Sequence, residues 1–178
     1  MLLNLSTIRT AHERFDQEHA PAAFAGDREV FTVVTPTRLG FEIDKDKNHY
    51  HLTGRVTTAL ELTCSRCLEP FRWPVDSIFD LRYEPRPAVA SGEEREVHDD
   101  DFSTAYYDDD AIDLGQLMRE QFFLSIPMKP LCTDECKGLC PQCGANRNRG
   151  SCGCTTEWQD PRLAALRGLG RGPNGGAA

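Results

Sequence analysis

Apolar and polar residues alternate most regularly between positions 52 and 83. Over Leu52–Leu62 the even positions are mainly apolar, and over Phe71–Tyr83 the apolar residues fall mainly on odd positions. A period of two is typical of a strand with one buried face. The two stretches therefore predict the arms of a long antiparallel hairpin with Cys64-Ser65-Arg66-Cys67 at its tip. Pro74 has no N–H for a sheet ladder, so we expect the second arm to lie at a sheet edge or to carry a bulge.

Shorter strands are predicted nearer the N-terminus. The β-branched and aromatic stretch Arg28–Thr35 and the stretch Arg38–Ile43 both have strand composition, and Leu2–Leu5 predicts a third, short strand. The other residues of the first thirty carry only scattered apolar side chains. We predict that they are irregular.

One principal helix is predicted over residues 113–126. Asp113 can cap its first turn, and Pro127 ends it. The apolar side chains with helical spacing are Leu114, Leu117, Met118 and Phe122.

These elements predict an α+β fold. It comprises an antiparallel sheet with the long hairpin and its CxxC tip, the principal helix, and a Cys-rich zinc-knuckle C-terminal lobe. We divide the chain into a sheet domain (1–128), a metal-binding lobe (129–168) and a disordered tail (169–178). The sheet domain contains an acidic excursion (85–110), and a short helix after Asp160-Pro161 closes the lobe.

The net charge of −8 arises from one segment. Between Glu93 and Asp110 there are nine acidic residues against one base, whereas from Lys129 onward there are seven bases and four acids. The acidic total therefore does not exclude a nucleic-acid partner. We interpret the acidic segment as a solvated linker, or alternatively as a surface for a basic partner.

The sequence predicts a cytoplasmic protein. No apolar run approaches the roughly 20 residues that a membrane span requires. The N-terminal stretch becomes charged too early for a secretory signal. Thiols in the cytoplasm stay reduced, so clustered cysteines there indicate metal binding or redox chemistry more often than disulfides.

The eight cysteines form four close pairs. Cys64-x-x-Cys67 and Cys140-Pro-Gln-Cys143-Gly are CxxC turns, and the other two pairs are Cys132-x-x-x-Cys136 and Cys152-Gly-Cys154. A structural zinc ion takes four thiolates in a tetrahedron, commonly from two such pairs. We therefore predict two zinc ions per chain.

Two partitions of these pairs are possible. In the preferred one, Cys140, Cys143, Cys152 and Cys154 form a local site, and Cys64, Cys67, Cys132 and Cys136 tether the hairpin tip to the lobe. In the other, Cys132 and Cys136 join Cys140 and Cys143. Spacing does not choose between them, nor does it exclude iron. A redox CxxC is a further alternative, although neither turn lies between a strand and a helix as in thioredoxin-like proteins.

No pattern of catalytic residues accompanies the cysteines. The chain has no Walker loop, no GxGxxG and no nucleophile elbow, so we predict no enzyme activity and no small-molecule substrate. Arg147 and Arg149 lie between the second CxxC turn and Cys152. One interpretation is that they belong to a polar loop that covers a metal site. The other is that the metal holds the two arginine side chains in position to contact phosphate groups.

Several motifs together resemble the YceD family, which is linked to accumulation of large-subunit ribosomal RNA. They are CSRCLEPF, LSIPMKPLC, the C-K-G-L-C-P-x-C-G-x-N-x-N block and DPRLAAL, in that order. The resemblance implies an accessory factor for ribosomal RNA processing and large-subunit assembly. Its implied partner is large-subunit ribosomal RNA or a pre-ribosomal particle, or a ribosomal protein.

From this resemblance we derive a candidate RNA surface. It combines the basic lobe, with Arg147 and Arg149, and a hairpin face with Arg55, Arg66, Arg72 and Arg82. Two other functions remain open. One is a protein-binding adaptor that uses the acidic segment, and the other is a thiol oxidoreductase that uses Cys64 and Cys67.

Overall fold

The computed structural model describes residues 1–27, 30–86 and 104–154. In chain order, its elements are β1 (Leu2–Asn4), β2 (His12–His19), β3 (Thr32–Val33), β4 (Thr37–Asp46), β5 (His49–Thr63), β6 (Pro70–Pro85), β7 (Thr104–Tyr107), β8 (Ala111–Asp113) and α1 (Leu114–Ser125). Two 3₁₀ segments, Leu5–Thr7 and Pro21–Asp27, flank β2. No helix in these three ranges is long and apolar enough to cross a membrane.

The main sheet has the strand order β2-β4-β5-β6-β7, and β3 also pairs with β5. β1 and β8 form a separate two-stranded ribbon. Every pair in the main sheet is antiparallel except β6 with β7, which run parallel with Arg82 opposite Thr104. The sheet is therefore mixed, and the prediction of a wholly antiparallel sheet is wrong at this edge.

β5 and β6 are the two longest strands and carry the site. They pair without interruption from Tyr50 opposite Tyr83 to Thr63 opposite Pro70. Even residues of β5 and odd residues of β6 face the core, as the alternation predicts. Cys64–Glu69 connect the strands, and the Cys64 N–H donates to the Glu69 carbonyl at 2.9 Å.

Pro74 lies at an open stretch of the β6 edge. It is opposite Ala59 in β5. The Ala59 carbonyl accepts from the Val34 N–H, and the Ala59 N–H donates to the Thr35 hydroxyl. Both backbone groups of Ala59 therefore point away from β6. In an antiparallel pair this places the backbone N of Pro74 away from β5. β7 pairs only with residues 82–85. Among the described residues, the missing N–H therefore removes no ladder bond, and the edge prediction is confirmed for this stretch of β6.

The helix α1 packs on the inner face of β6. The Asp113 carboxylate accepts from the N–H groups of Gly115 and Gln116 at 2.8 and 3.2 Å, which is the predicted cap. Phe122 is fully buried. The Trp73 indole N–H donates to the Ser125 carbonyl at 3.0 Å and ties the end of α1 to the sheet.

Three segments differ from their predictions. His12–His19, predicted to be irregular, is the edge strand β2, and Thr104–Tyr107 within the predicted acidic excursion is β7. Of the predicted strand Arg28–Thr35, the structure describes residues 30–35, and among these the strand pairing covers Thr32–Val33. The greater part of the acidic segment, the closing helix and the C-terminal tail lie outside the described residues.

Candidate metal centres

The eight cysteine sulfurs lie in two groups of four. Within each group, all the sulfur atoms lie within 4.8 Å of one another. The first sulfur group is Cys64, Cys67, Cys132 and Cys136, and the second sulfur group is Cys140, Cys143, Cys152 and Cys154. This is the preferred partition of the sequence analysis, and the alternative that joins Cys132 and Cys136 to Cys140 and Cys143 is wrong.

The spacing within the first sulfur group fits a tetrahedral ion. The Cys64–Cys136 and Cys67–Cys132 sulfur distances are both 3.7 Å. Four sulfurs at about 2.3 Å from a central ion would be about 3.8 Å apart, whereas a disulfide bond is about 2.05 Å long. All eight cysteines are free thiols. The four side chains therefore have the donor type and spacing of a tetrathiolate site.

The first sulfur group joins the β5–β6 connection to the chain after α1. The Ser65 N–H donates to the Pro130 carbonyl at 2.8 Å, and the Leu139 N–H donates to the Arg66 carbonyl at 3.1 Å. The Arg66 guanidinium donates to the Cys136 carbonyl at 3.0 Å. Because Cys64, Cys67 and Cys136 are buried, water has little access to this group.

The second sulfur group is built on a tight local turn. The Gly144 N–H donates to the Cys140 carbonyl at 2.9 Å, and the Cys140 N–H donates to the Ala145 carbonyl at 2.8 Å. Gly144 has φ +72°, a conformation that suits glycine. Cys140 is buried and Cys143 is exposed, so this group is more open to solvent than the first.

The thiols of each group ionise unequally. The backbone N–H groups of Cys143 and Gln142 lower the pKa of Cys140 to about 6. Burial opposes ionisation of Cys64, but the N–H groups of Cys67, Cys132 and Arg66 outweigh it and hold its pKa at about 6. The neighbouring Cys143 sulfur, followed by burial, raises the pKa of Cys154 to about 12. Four thiolates so close together need a cation to offset their charge.

The loop between Cys143 and Cys152 folds back onto the first sulfur group. The Asn148 amide donates to the Cys136 sulfur at 3.2 Å and accepts from the Lys137 N–H at 2.7 Å. Glu69 accepts from Asn146 at 3.2 Å and from Arg149 at 2.8 Å. We call these contacts the clasp. Sequence reasoning placed Glu69 in the CSRCLEPF motif and Asn146 and Asn148 in the C-G-x-N-x-N block, but it gave none of the three a role at the cysteine sites.

The arginines of the candidate RNA surface lie in different settings. Arg149 pairs with Glu69, Arg66 binds the Cys136 carbonyl and Arg55 pairs with Asp76. Arg72 and Arg82 are exposed on β6. Arg147 is exposed, and within the described ranges its guanidinium makes no ion pair. Two of the nominated arginines thus hold the lobe against the β5–β6 connection.

The fold and the two sulfur groups define a class: a mixed β-sheet protein whose cysteine-rich lobe is joined to its longest hairpin through four thiols. Comparison of the sequence with models of protein families identifies the particular family within this class. The family model described as "Large ribosomal RNA subunit accumulation protein YceD" matches residues 52–170. The chain belongs to the YceD family.

Curated relatives are distant but span much of the chain. The chain is 27% identical over 156 residues to "Large ribosomal RNA subunit accumulation protein YCED homolog 1, chloroplastic" of Arabidopsis thaliana. The aligned region covers 76% of this chain and 49% of the relative. The corresponding Zea mays protein is also 27% identical, over 76% of this chain and 54% of its own length. The chain thus spans about half the length of these two relatives.

An uncharacterized protein of Mycobacterium tuberculosis strain H37Rv is 28% identical over 155 residues, which is 86% of this chain and 72% of that protein. No solved structure matches the chain.

Proposed function

We propose that this protein is an accessory factor that supports the accumulation of large-subunit ribosomal RNA during ribosome assembly and catalyses no reaction itself. Membership of the YceD family carries this proposal, since the family description and the names of the two plant relatives all refer to that RNA. Residues 1–128 would form the sheet domain, and residues 129–168 the metal-binding lobe.

Two zinc ions would hold the lobe in shape, one in each sulfur group. Sulfur-to-sulfur distances of 3.7 Å in the first sulfur group support this assignment. An ion with four protein thiolates has no open coordination position for a substrate, so its contribution is structural. Elemental analysis of purified protein should give two zinc per chain. A measured value of one zinc per chain would show that one of the two sulfur groups does not bind the ion. A value of zero would reject the metal assignment for both groups.

Arg147 is the strongest candidate for contact with RNA phosphate. It lies in the loop between Cys143 and Cys152, with its backbone N–H bonded to the Gly138 carbonyl at 2.9 Å and its side chain exposed. Arg149, which pairs with Glu69, would act mainly by holding this loop in place, and Arg66 by holding the Cys136 segment. Arg72, on the exposed side of β6, would extend the contact surface.

The test is Arg147→Ala against the matched control Arg38→Ala. Arg38 is also exposed, but it lies on β4 and pairs with Glu18. Arg147→Ala should weaken binding to large-subunit ribosomal RNA or its precursor particles, measured by co-sedimentation and filter binding over a range of salt concentrations. Loss of one phosphate contact should reduce the slope of log K against log[salt] by about one.

Unchanged binding and an unchanged salt slope for Arg147→Ala would reject this contact surface. An equal loss in both variants would indicate a nonspecific charge effect. Both variants should retain two zinc per chain, which separates a lost RNA contact from a damaged lobe.

The alternative of a thiol oxidoreductase is disfavoured by burial. A reactive cysteine needs an accessible sulfur, whereas Cys64 is 0% and Cys67 is 4% exposed. Alkylation of the native protein tests this directly. Resistance of both thiols to iodoacetamide in the metal-loaded protein would remove the redox function.

A further inference from the structure

The loop of the second sulfur group supplies a hydrogen bond to a sulfur of the first. Asn148 lies between Cys143 and Cys152, which belong to the second group, yet its amide donates to the Cys136 sulfur of the first group at 3.2 Å. The loop of residues 144–151 is bounded at both ends by cysteines of the second group. Its shape therefore depends on whether those cysteines are held together.

A short ribbon fixes the position of Asn148. Leu139 is bridged to Asn146, the Arg147 N–H donates to the Gly138 carbonyl at 2.9 Å, and the Lys137 N–H donates to the Asn148 amide oxygen at 2.7 Å. With the Asn148 oxygen occupied in this way, its NH₂ group is directed to the Cys136 sulfur. The orientation of the amide follows from these two partners together.

Glu69 anchors the same loop to the other half of the first sulfur group. It is two residues after Cys67 and accepts from both Asn146 and Arg149. The loop thus contacts the β5–β6 connection and the Cys136 segment at once. These are the two segments that an ion in the first sulfur group must bring together.

We propose that the clasp makes the two sulfur groups one cooperative metal-binding unit, with Asn148 as a positioning residue for the ion of the first group. Metal in the second group closes the loop, and the closed loop presents Asn148 to Cys136 and Asn146 and Arg149 to Glu69. An N–H donor stabilises a thiolate ligand, and loss of such an outer partner typically costs 10- to 100-fold in metal affinity. The inference rests on the proposed zinc sites.

The test measures zinc retention separately in each group. Metal-loaded protein is titrated with a chelator, free thiols are alkylated, and mass spectrometry reports which cysteines have become reactive. Asn148→Ala should lower the chelator concentration that releases Cys64, Cys67, Cys132 and Cys136 by about 10- to 100-fold. Arg147→Ala, a change of the adjacent exposed side chain, should leave both groups unchanged.

A double-mutant cycle tests the coupling itself. Cys152→Ser with Cys154→Ser disables the second group and should weaken the first by a similar factor. Adding Asn148→Ala to that background should cause little further loss, because the loop no longer presents the amide.

Three results would overturn the proposal. They are an unchanged first group in Asn148→Ala, an unchanged first group when the second is disabled, or effects that simply add. A wild-type protein that binds no zinc would instead reject the metal sites on which the proposal rests. Asn148→Ala retains all eight cysteines, so its outcome does not depend on whether the serine variants fold.

Discussion

Gly54, in the middle of β5, gives the most quantitative test of the sheet. It lies opposite Phe41 on β4 and Phe79 on β6. A Cβ atom added at Gly54 would lie 2.5 Å from the Gly40 carbonyl oxygen and 2.6 Å from both Phe41 Cβ and Phe79 Cζ. Two of these atoms are fixed to the backbone of β4. The substitution Gly54→Ala therefore requires the two strands to move apart.

Overpacking of a close-packed core costs about 1–3 kcal/mol, and sometimes more. We expect Gly54→Ala to lower the free energy of unfolding by about 3 kcal/mol, at the upper end of that range, because the neighbours cannot rotate away. Gly40→Ala is the matched control. Its new Cβ would lie 3.0 Å from the Asp16 carboxylate oxygen, at the mobile end of an exposed side chain. Replacing a glycine where the backbone allows it stabilises by about 0.4–1 kcal/mol, so this variant should be close to neutral.

The assay is urea unfolding at fixed zinc concentration, followed by tryptophan fluorescence, with Trp73 in the sheet as a reporter. Both variants should keep the wild-type m-value, so that the shift in midpoint measures stability alone. If the free energies of unfolding of Gly54→Ala and Gly40→Ala differ by less than about 0.5 kcal/mol, the close approach of β4 and β5 does not limit the size of the side chain at position 54. The packing argument would then be refuted.

Two further predictions concern α1. Phe122→Ala should lower the free energy of unfolding by about 3–5 kcal/mol in the same assay, because the ring is 0% exposed and packs edge-on against Phe24 and Phe31. The control Leu124→Ala, at a residue that is 78% exposed, should change it by less than about 0.5 kcal/mol. Equal effects of the two substitutions would contradict the packing of the helix. Burial acts to raise the pKa of Asp113, but hydrogen bonds from the chain's amino terminus and from backbone N–H groups at the start of α1 outweigh it and lower the pKa. The stability that this cap contributes should therefore be fully present above the unfolded-state pKa of about 3.9 and be lost as the pH falls through the lower folded-state pKa. Asp113→Asn should reduce this loss of stability in acid. If the variant has the same dependence of stability on pH as the wild type, the cap does not contribute in this way.

The long strands were predictable because one face of each is buried or partly buried along its length. Apolar residues recur at every second position over most of β5 and β6, with Ser77 and Ile78 as an exception in β6, so periodicity identifies both strands. β2 has no such signal, because it is an edge strand and its inward residues Glu13, Phe15, Gln17 and His19 are only partly buried. Its polar residues fit a strand that covers the sheet margin, and the same composition fits a loop.

The parallel pairing of β7 also could not be read from the sequence. Thr104–Tyr107 is four residues long and follows an acidic stretch, and its direction depends on the path of the intervening chain. The cysteine spacing predicted four-sulfur sites but not their partition, which depends on how the β5–β6 connection approaches the segment after α1. The clasp depends on the same approach. Glu69 and Asn146 are 77 residues apart, and nothing local relates them.

The first sulfur group also has a topological consequence. Cys67 and Cys132 are separated by 65 positions, and β6, β7, β8 and α1 lie between them. An ion held there would act as a reversible cross-link around that part of the chain, and closing a loop of this length in the unfolded state is worth about 4 kcal/mol. A single cut in the backbone between these cysteines would leave two fragments joined through the ion. The fragments of a protease-nicked molecule should then resist separation by urea better with metal than after a chelator has removed it, when pairing of β1 with β8 and packing of α1 on the sheet would be what holds them together.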